Sequence, residues 1–298
     1  MSYYLGFHII RDRVQRSIIL SQRGYIDTVL DRFGISRHVN AIYPSTPMEY
    51  VKMSKTTPIV LLNASQIVDY QSRVGSLLYL AIMSRPDKLY AVSHLSRQCK
   101  SPTQFDLNAI NRVLYYIAGT YELGLKLYSN DGVRLYATVD ASYACHDDSK
   151  SHTGCTLHIG RTSGSIITVS KKQSVTADSS TIAEFVATHV VCKEIMWARS
   201  FLLSLGFPQP EPTILYEDNM STISMIHNKT NGKRTKHIEV RYNLVREQYE
   251  KKVIKMVHCP TADMTSDMLT KSLSPAPFVH LRRNMLGMLV RLKRINAV

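Results

Sequence analysis

The amino-acid sequence predicts a mixed α/β fold, in which a five-stranded mixed sheet with flanking helices follows a mainly helical region. Two observations lead to this prediction. From about residue 131, three strand-like segments, a long helical pattern and then alternating strand and helix patterns follow one another. Before residue 131, apolar residues recur mainly at helical spacing. A chain of 298 residues is long enough for two domains of ordinary size, so each pattern can form its own core.

The first region opens with a predicted strand pair at 4–10 and 17–20, where apolar segments flank a polar turn. Apolar spacing predicts a helix over 22–33. The stretch 40–65 is rich in proline, serine, threonine and asparagine, which indicates a loop or linker. Three helical patterns follow across 66–118, separated by proline-containing turns. This region is therefore expected to be mainly helical.

The second region begins with three predicted strands at 134–140, 154–159 and 165–169. A long helix is predicted over 179–205 because apolar residues recur there every three to four positions. Alternating elements then follow: a strand at 213–216, a helix at 218–227, a basic helix after Lys236, a strand at 253–258 and a last helix from about Thr265. This order favours a mixed sheet with helices packed against it.

The chain carries a formal net charge of +14, and the surplus is uneven. The last 70 residues hold 15 Lys and Arg against 5 Asp and Glu. A polyanion such as nucleic acid is the partner that this charge suggests, although a basic surface that serves only solubility has the same composition. No apolar run is long enough to cross a bilayer, so no membrane partner is expected. We find no secretion signal at the start, and therefore expect the cytoplasm or nucleus.

Four acidic residues lie at the ends of predicted elements: Asp140, Glu184, Asp218 and Asp267. Side chains at such ends can converge on one edge of a sheet. Oxygen-only ligands suit a hard ion such as Mg²⁺, and four carboxylates can hold two ions for phosphodiester hydrolysis. Taken singly, each residue also fits an ordinary role, namely the end of a strand, a charge at a helix start, an N-cap and a surface position.

Six stretches carry a resemblance to a known family. In order they are 139–144 (VDASYA), 170–175 (SKKQSV), 179–185 (SSTIAEF), 216–219 (YEDN), 234–242 (RTKHIEVRY) and 266–271 (SDMLTK). The second region thereby resembles the ribonuclease H domain of copia-type retrotransposon polyproteins. This resemblance implies a ribonuclease H-like fold, an RNA/DNA hybrid as substrate and two bound Mg²⁺ ions, with Mn²⁺ as an alternative.

By the same resemblance, the metal carboxylates are Asp140, Glu184, Asp218 and Asp267. Asp263 competes for the last position, but the sequence context of Asp267 fits the family motif better. His237 matches the family's histidine, for which there are two interpretations. It can position water or move a proton near product release, or it can contact phosphate or pack.

Two basic clusters are candidates for phosphate contacts along a hybrid. Lys233, Arg234 and Lys236 precede the predicted basic helix, and Lys171 and Lys172 are predicted on the turn after the third strand. An ordinary solvated surface is the alternative for each cluster.

The resemblance extends upstream, through stretches such as 74–80, 85–87 and 101–103. These are similar to the segment from the end of the reverse transcriptase palm through its thumb and connection. We therefore assign 1–130 to that remnant, 131–275 to the ribonuclease H-like domain and 276–298 to a basic C-terminal tail. The paired aspartates of a polymerase site would precede residue 1, so no polymerase activity is expected of this chain alone, and a polymerase partner is unknown.

Three functional hypotheses remain. The first is metal-dependent hydrolysis of the RNA strand of a hybrid. The second, of another class, is a secreted effector that resembles the RxLR 161-like group, acts on a host protein in the host nucleus or cytoplasm and alters host cell death without catalysis. The third is an inert pseudogene product.

Overall fold

The two regions of the chain form separate units in a computed structural model. The structure describes residues 3–38, 41–49, 60–128, 132–228 and 239–288. The first unit comprises Met1–Lys126 and Ser272–Arg282, and the second comprises Leu127–Lys271 and Arg283–Val298. Across the described ranges, no helix has both the length and the apolar character needed to cross a membrane.

Strands and helices both contribute to the first unit. Its sheet has the order β1-β2-β3-β4, with β1 at Tyr3–Tyr4, β2 at Phe7–Asp12, β3 at Ser17–Ser21 and β4 at Leu125–Tyr128. Its helices are α1 (Arg23–Arg32), α2 (Ala64–Met83), α3 (Leu89–Ser96) and α4 (Gln104–Gly119), with a 3₁₀ helix at Pro86–Lys88. The assignment of 1–130 to a polymerase remnant stays a prediction.

The predicted first strand at 4–10 differs from the structure. Leu5 and Gly6 both have positive φ, 47° and 82°, so the chain turns there and Tyr4 pairs with Phe7. Glycine adopts this backbone conformation without the steric cost that a side chain would bring. One predicted strand is therefore a tight hairpin between β1 and β2.

A buried ion pair holds the helices of the first unit together. The Arg85 guanidinium donates to both carboxylate oxygens of Asp87 at 2.9 and 2.8 Å, and the Tyr116 hydroxyl donates to the same carboxylate. Burial opposes ionisation of Asp87, but the Arg85 charge outweighs it and holds the pKa of that carboxyl below its ordinary value. Losing one partner would leave the other charge buried and unpaired, which is strongly destabilising.

The last described helix, α8 at Pro275–Met285, differs from the predicted tail. Its residues up to Arg282 belong to the first unit. There the Phe278 ring lies edge-on to the Tyr116 ring, with centroids 6.0 Å apart, and Arg282 donates to the Tyr116 hydroxyl at 3.2 Å. These contacts with Tyr116 stabilise residues 275–282 as a helix of the first unit, where a basic tail was predicted. Residues 289–298 lie outside the described ranges.

The second unit is built on a five-stranded sheet in the order β7-β6-β5-β8-β9. The strands are β5 (Leu135–Ser142), β6 (His152–Ile159), β7 (Ser165–Lys172), β8 (Thr213–Glu217) and β9 (Ile254–His258). The pairs β5–β6 and β6–β7 are antiparallel, whereas β5–β8 and β8–β9 are parallel. The flanking helices are α5 (Ser180–Ser204), α6 (Met220–His227) and α7 (Glu239–Glu250). The predicted mixed sheet with flanking helices is confirmed.

Helix α5 provides most of the apolar surface under this sheet. The Ser179 side chain accepts from the Ile182 amide and so caps its first turn. The helix packs against β5 and β6, and the buried Phe185 ring stacks on Tyr242 of α7 with centroids 5.5 Å apart. Full burial of a side chain such as Ile195 stabilises the fold by about 1.5–3 kcal/mol. This packing fixes the position of α5 on the sheet.

The predicted helix from Thr265 is wrong in type. The chain forms two short 3₁₀ helices instead, at Thr261–Asp263 and Thr265–Leu269. Their hydrogen bonds join residues three apart, as from the Asp267 amide to the Met264 carbonyl at 3.1 Å. The Thr265–Leu269 helix packs against β5 and β6, so tertiary contacts select the tighter conformation.

Candidate metal centre

Strand pairing brings two of the four predicted carboxylates, Asp140 and Asp218, to one edge of the sheet. In the parallel pair β5–β8, Thr138 lies opposite Tyr216. Asp140 and Asp218 follow two residues later, one in each chain segment. Because parallel strands end on the same side, both carboxylates lie at the carboxyl-terminal edge of the sheet.

Two further elements bring the other predicted carboxylates to this edge. Glu184 lies in the second turn of α5, and Asp267 lies in the 3₁₀ helix Thr265–Leu269. Oxygen atoms of Asp140, Asp218 and Asp267 lie within 4.8 Å of one another, and so do oxygen atoms of Glu184, Glu217 and Asp218. The structure thus places all four predicted carboxylates in two groups that share Asp218. Their role as metal ligands stays a prediction.

Sequence reasoning missed Glu217. The burial of β8 alternates, with Thr213, Leu215 and Glu217 facing inward. A carboxylate at an inward position of a strand that ends in a metal motif was a detectable signal. Its presence raises the number of acidic side chains in the two carboxylate groups of described residues to five.

Asp263, the competitor for the last position, lies in the 3₁₀ helix Thr261–Asp263 and belongs to neither carboxylate group in the described part of the chain. The position of Asp267 therefore agrees with the choice made from the motif. The exposed Asp148, in the turn before β6, forms an ion pair with Lys172 at 2.7 Å. It belongs to neither carboxylate group among the described residues.

Several donors hold the carboxylates in place. The Thr270 hydroxyl donates to Asp140 Oδ2, and the Thr261 hydroxyl donates to Asp218 Oδ2 at 2.7 Å. The Lys271 ammonium lies 3.0 Å from Asp267 Oδ2. These contacts engage one oxygen of each carboxylate, and the other oxygen of Asp267, Oδ1, has no hydrogen-bond partner among the described residues.

Three carboxylate oxygens are buried without a hydrogen-bond partner among the described residues: Glu184 Oε2, Glu217 Oε2 and Asp267 Oδ1. An unpaired buried acceptor is costly unless something compensates it. A hard divalent cation, which takes oxygen ligands, supplies that compensation. The donor set therefore fits Mg²⁺ or Mn²⁺.

Burial and the close approach of the carboxylates raise the pKa values of several acidic groups in the metal-free cluster. Burial, joined by the neighbouring Asp140 carboxylate, raises the pKa of Asp267 to about 7. Burial also raises the pKa of Glu217 to about 8, with a further contribution from Asp218, against the lowering effect of the Asn219 amide. The pKa of Glu184 is raised by burial and by the facing Glu217. Without a cation, the cluster holds protons at neutral pH.

A glycine allows the segment that carries Asp267 to approach. Gly154 of β6 pairs with Asp140 of β5. A β-carbon at this position would lie 2.7 Å from Thr270 Cγ2, 2.8 Å from the Ser266 carbonyl oxygen and 2.9 Å from Leu269 Cβ. Such distances are too short for any side chain, so glycine is needed here for close packing rather than for an unusual φ.

The structure describes only two of the basic residues predicted to contact phosphate, Lys171 and Lys172. Lys171 and Lys172 are the last residues of β7, not of the turn after it as predicted. Their register with His152 and Thr153 puts them at the same end of the sheet as the carboxylates. Four other candidates lie outside the described residues: Lys233, Arg234, Lys236 and His237.

The sheet order and the carboxylate cluster define a ribonuclease H-like α/β unit. No family model matches the chain. It is 35% identical over 289 residues to the retrovirus-related Pol polyprotein of transposon TNT 1-94 from Nicotiana tabacum, a match that covers 95% of this chain and 21% of that protein. It is 33% identical over 130 residues to secreted RxLR effector protein 161 from Plasmopara viticola, covering 44% of this chain and 91% of that protein.

The chain is homologous over about 95% of its length to copia-type retrotransposon Pol polyproteins, and it spans about a fifth of the length of these relatives. Among solved structures, it resembles LC11-RNase H1 in complex with an RNA/DNA hybrid, with a TM-score of 0.37 and 10% identity. That similarity covers 46% of this chain and 94% of LC11-RNase H1.

The raised pKa values predict that the metal-free protein loses stability as pH rises from about 5 to 8. Asp267 and Glu217 titrate near 7 and 8 when folded, against ordinary values of 3.8 and 4.5. The folded state therefore binds more protons than the unfolded state in this window, so the free energy of unfolding falls with pH. Chemical unfolding in the presence of a chelator measures it. Glu217→Gln should flatten the decrease, whereas Glu211→Gln, at an exposed position, should not. Stability that rises with pH would contradict the prediction.

The close approach at Gly154 predicts a second outcome. Gly154→Ala should push the Thr265–Leu269 helix away from β6 and destabilise the protein by about 1–3 kcal/mol. If Mg²⁺ binds the carboxylates it should raise the melting midpoint of wild type, and we expect a smaller increase in Gly154→Ala. Gly75→Ala is the matched control, since no atom lies within 4 Å of its added β-carbon and alanine favours its helix. An unchanged Mg²⁺ response in Gly154→Ala would show that this approach does not position Asp267.

Proposed function

We propose that the second unit is a metal-dependent endonuclease that hydrolyses the RNA strand of RNA/DNA hybrids. The convergence of Asp140, Glu184, Asp218 and Asp267 at the carboxyl-terminal edge of a ribonuclease H-like sheet carries the proposal. Similarity over 95% of the chain to a retrotransposon Pol polyprotein supports it. The proposal concerns hydrolysis alone and includes no polymerase activity.

The four carboxylates would hold two Mg²⁺ ions, with Mn²⁺ as an alternative. Bound there, such ions activate water and stabilise the leaving oxygen in phosphodiester cleavage. The protein's own residues orient the ligands. Lys271 engages Asp267 Oδ2 and leaves Oδ1 unpartnered among the described residues. The Thr270 hydroxyl restrains Asp140 through Oδ2.

The proposed substrate is a hybrid duplex, which proteins recognise mainly through backbone and shape. Lys171 is exposed at the carboxylate end of the sheet, where it can meet a phosphate. Lys172 is already paired with Asp148, so a phosphate would have to compete with that carboxylate. Lys233, Arg234 and Lys236 remain candidates for the same duplex, and His237 for the proton or water step.

Asp140→Asn and Asp218→Asn should each abolish Mg²⁺-dependent cleavage of a labelled RNA strand in a hybrid, because each removes a carboxylate from the cluster. Asp263→Asn is the matched control, since Asp263 lies on the neighbouring 3₁₀ helix outside both groups, and it should cleave like wild type. Gel electrophoresis of the RNA products provides the measurement. If wild type fails to cleave under conditions where a ribonuclease H standard is active, the proposal is wrong.

A second candidate function is that of an effector acting on a host protein without catalysis. The observation that favours it is the match to RxLR effector protein 161, which extends over 91% of that protein. In this case the protein would be secreted and then act in the host nucleus or cytoplasm. Surface contacts of the fold would carry the effect.

The two candidates predict opposite results for one variant. If the chain acts as an effector, Asp140→Asn should alter host cell death as wild type does, because a single buried carboxylate leaves the surface unchanged. A cell-death assay in plant tissue, with matched expression, measures this. Loss of the effect in Asp140→Asn would tie the phenotype to hydrolysis and remove the effector hypothesis.

A further inference from the structure

One acidic side chain at the cluster is absent from the motif set. Glu217 ends β8 and is completely buried. Its Oε1 accepts from the Asn219 amide at 3.0 Å, whereas its Oε2 has no hydrogen-bond partner in the described ranges. An acid placed in this way needs a partner, because a buried acceptor without one is costly.

Glu184 lies near Glu217 and also has a carboxylate oxygen without a hydrogen-bond partner among the described residues. It reaches the site from α5, is 6% exposed, and its Oε2 is likewise buried and unpartnered among the described residues. Two such oxygens from different elements repel each other when ionised. One proton can serve a pair, but a divalent cation compensates both charges at once.

The distances suit a cation. Glu184, Glu217 and Asp218 each offer a carboxylate oxygen within 4.8 Å of the others. Ligand distances of about 2.0–2.6 Å place oxygens on opposite sides of a hard ion roughly 4–5 Å apart. The spread of these three oxygens therefore matches an ion of the size of Mg²⁺ or Mn²⁺.

We infer that Glu184, Glu217 and Asp218 form a divalent-cation site of their own, in which Glu217 is a metal ligand. Asp218 is shared with the group of Asp140 and Asp267, so the two sites are adjacent. The donor set consists of carboxylate oxygens, which suit hard ions such as Mg²⁺ and Mn²⁺. The inference adds a ligand to the proposed metal centre. Its functional meaning rests on the proposed function, in which Glu217 would set the affinity of one of the two catalytic ions.

Direct counting of bound Mn²⁺ tests the inference on the full chain. Electron paramagnetic resonance of free Mn²⁺ during a titration yields the number and affinity of sites. Wild type should bind two ions. Glu217→Gln, close to isosteric, should weaken one of them by about ten-fold or more, the scale at which even supporting residues alter metal affinity. Glu184→Gln should weaken the same ion, and the double variant should lose little more, because both remove ligands from one site.

Two further variants make the result specific. Asp267→Asn should weaken the other ion and leave the Glu217-dependent one. Glu194→Gln, on the same helix as Glu184 but outside both groups, should bind like wild type. Circular dichroism confirms folding, and if Glu217→Gln does not fold, the titration is made on Glu217→Asp, in which the shortened carboxylate should weaken the same ion; unchanged binding there would overturn the inference.

The outcomes separate the inference from the proposed function. Mn²⁺ binding by Glu217→Gln that equals wild type in number and affinity overturns the inference, while two bound ions in wild type leave the proposed function intact. A wild type that binds no Mn²⁺ overturns both. Selective loss of one ion in Glu217→Gln supports the inference whether or not hybrid cleavage is detected.

Discussion

Mutual repulsion among five carboxylates at one edge of the sheet is the constraint on which the second unit depends. Asp140, Glu184, Glu217 and Asp267 are all nearly or fully buried there. Like charges at this density cannot all ionise without compensation. Among the described residues, the donors to these carboxylates include the hydroxyls of Thr261 and Thr270, the Asn219 amide and the Lys271 ammonium, and three buried carboxylate oxygens still have no partner. We expect bound protons to reduce the remaining repulsion between the carboxylates when metal is absent, and divalent ions to do so in the proposed active state.

The scaffold resists this repulsion through packing. Helix α5 carries Glu184 on an otherwise apolar surface, and its buried side chains hold it against β5 and β6. On the other side, the missing side chain of Gly154 lets the Thr265–Leu269 helix settle against β6. A destabilised cluster therefore rests on a large hydrophobic core, the arrangement expected where function requires charges to be buried together.

The chain has two kinds of similar proteins, retrotransposon Pol polyproteins and a secreted effector. The Pol relatives are far longer than this chain, whereas the effector relative is matched over most of its own length. A fold can serve unrelated functions because function resides in particular sites and surfaces. Hydrolysis at the buried cluster and binding to a host protein are therefore separate proposals for this chain.

The sequence by itself determined the order of elements in the second unit and four of the five clustered carboxylates, since alternation, helical spacing and motif order are local properties of the chain. Tertiary structure decided the rest. Glu217 became a member of the cluster only when β8 paired between β5 and β9. The segment after Thr265 became a 3₁₀ helix, and Lys172 became paired with Asp148. Each of these outcomes depends on a neighbour distant in sequence, because burial, close approach and charge pairing arise only after the strands have assembled.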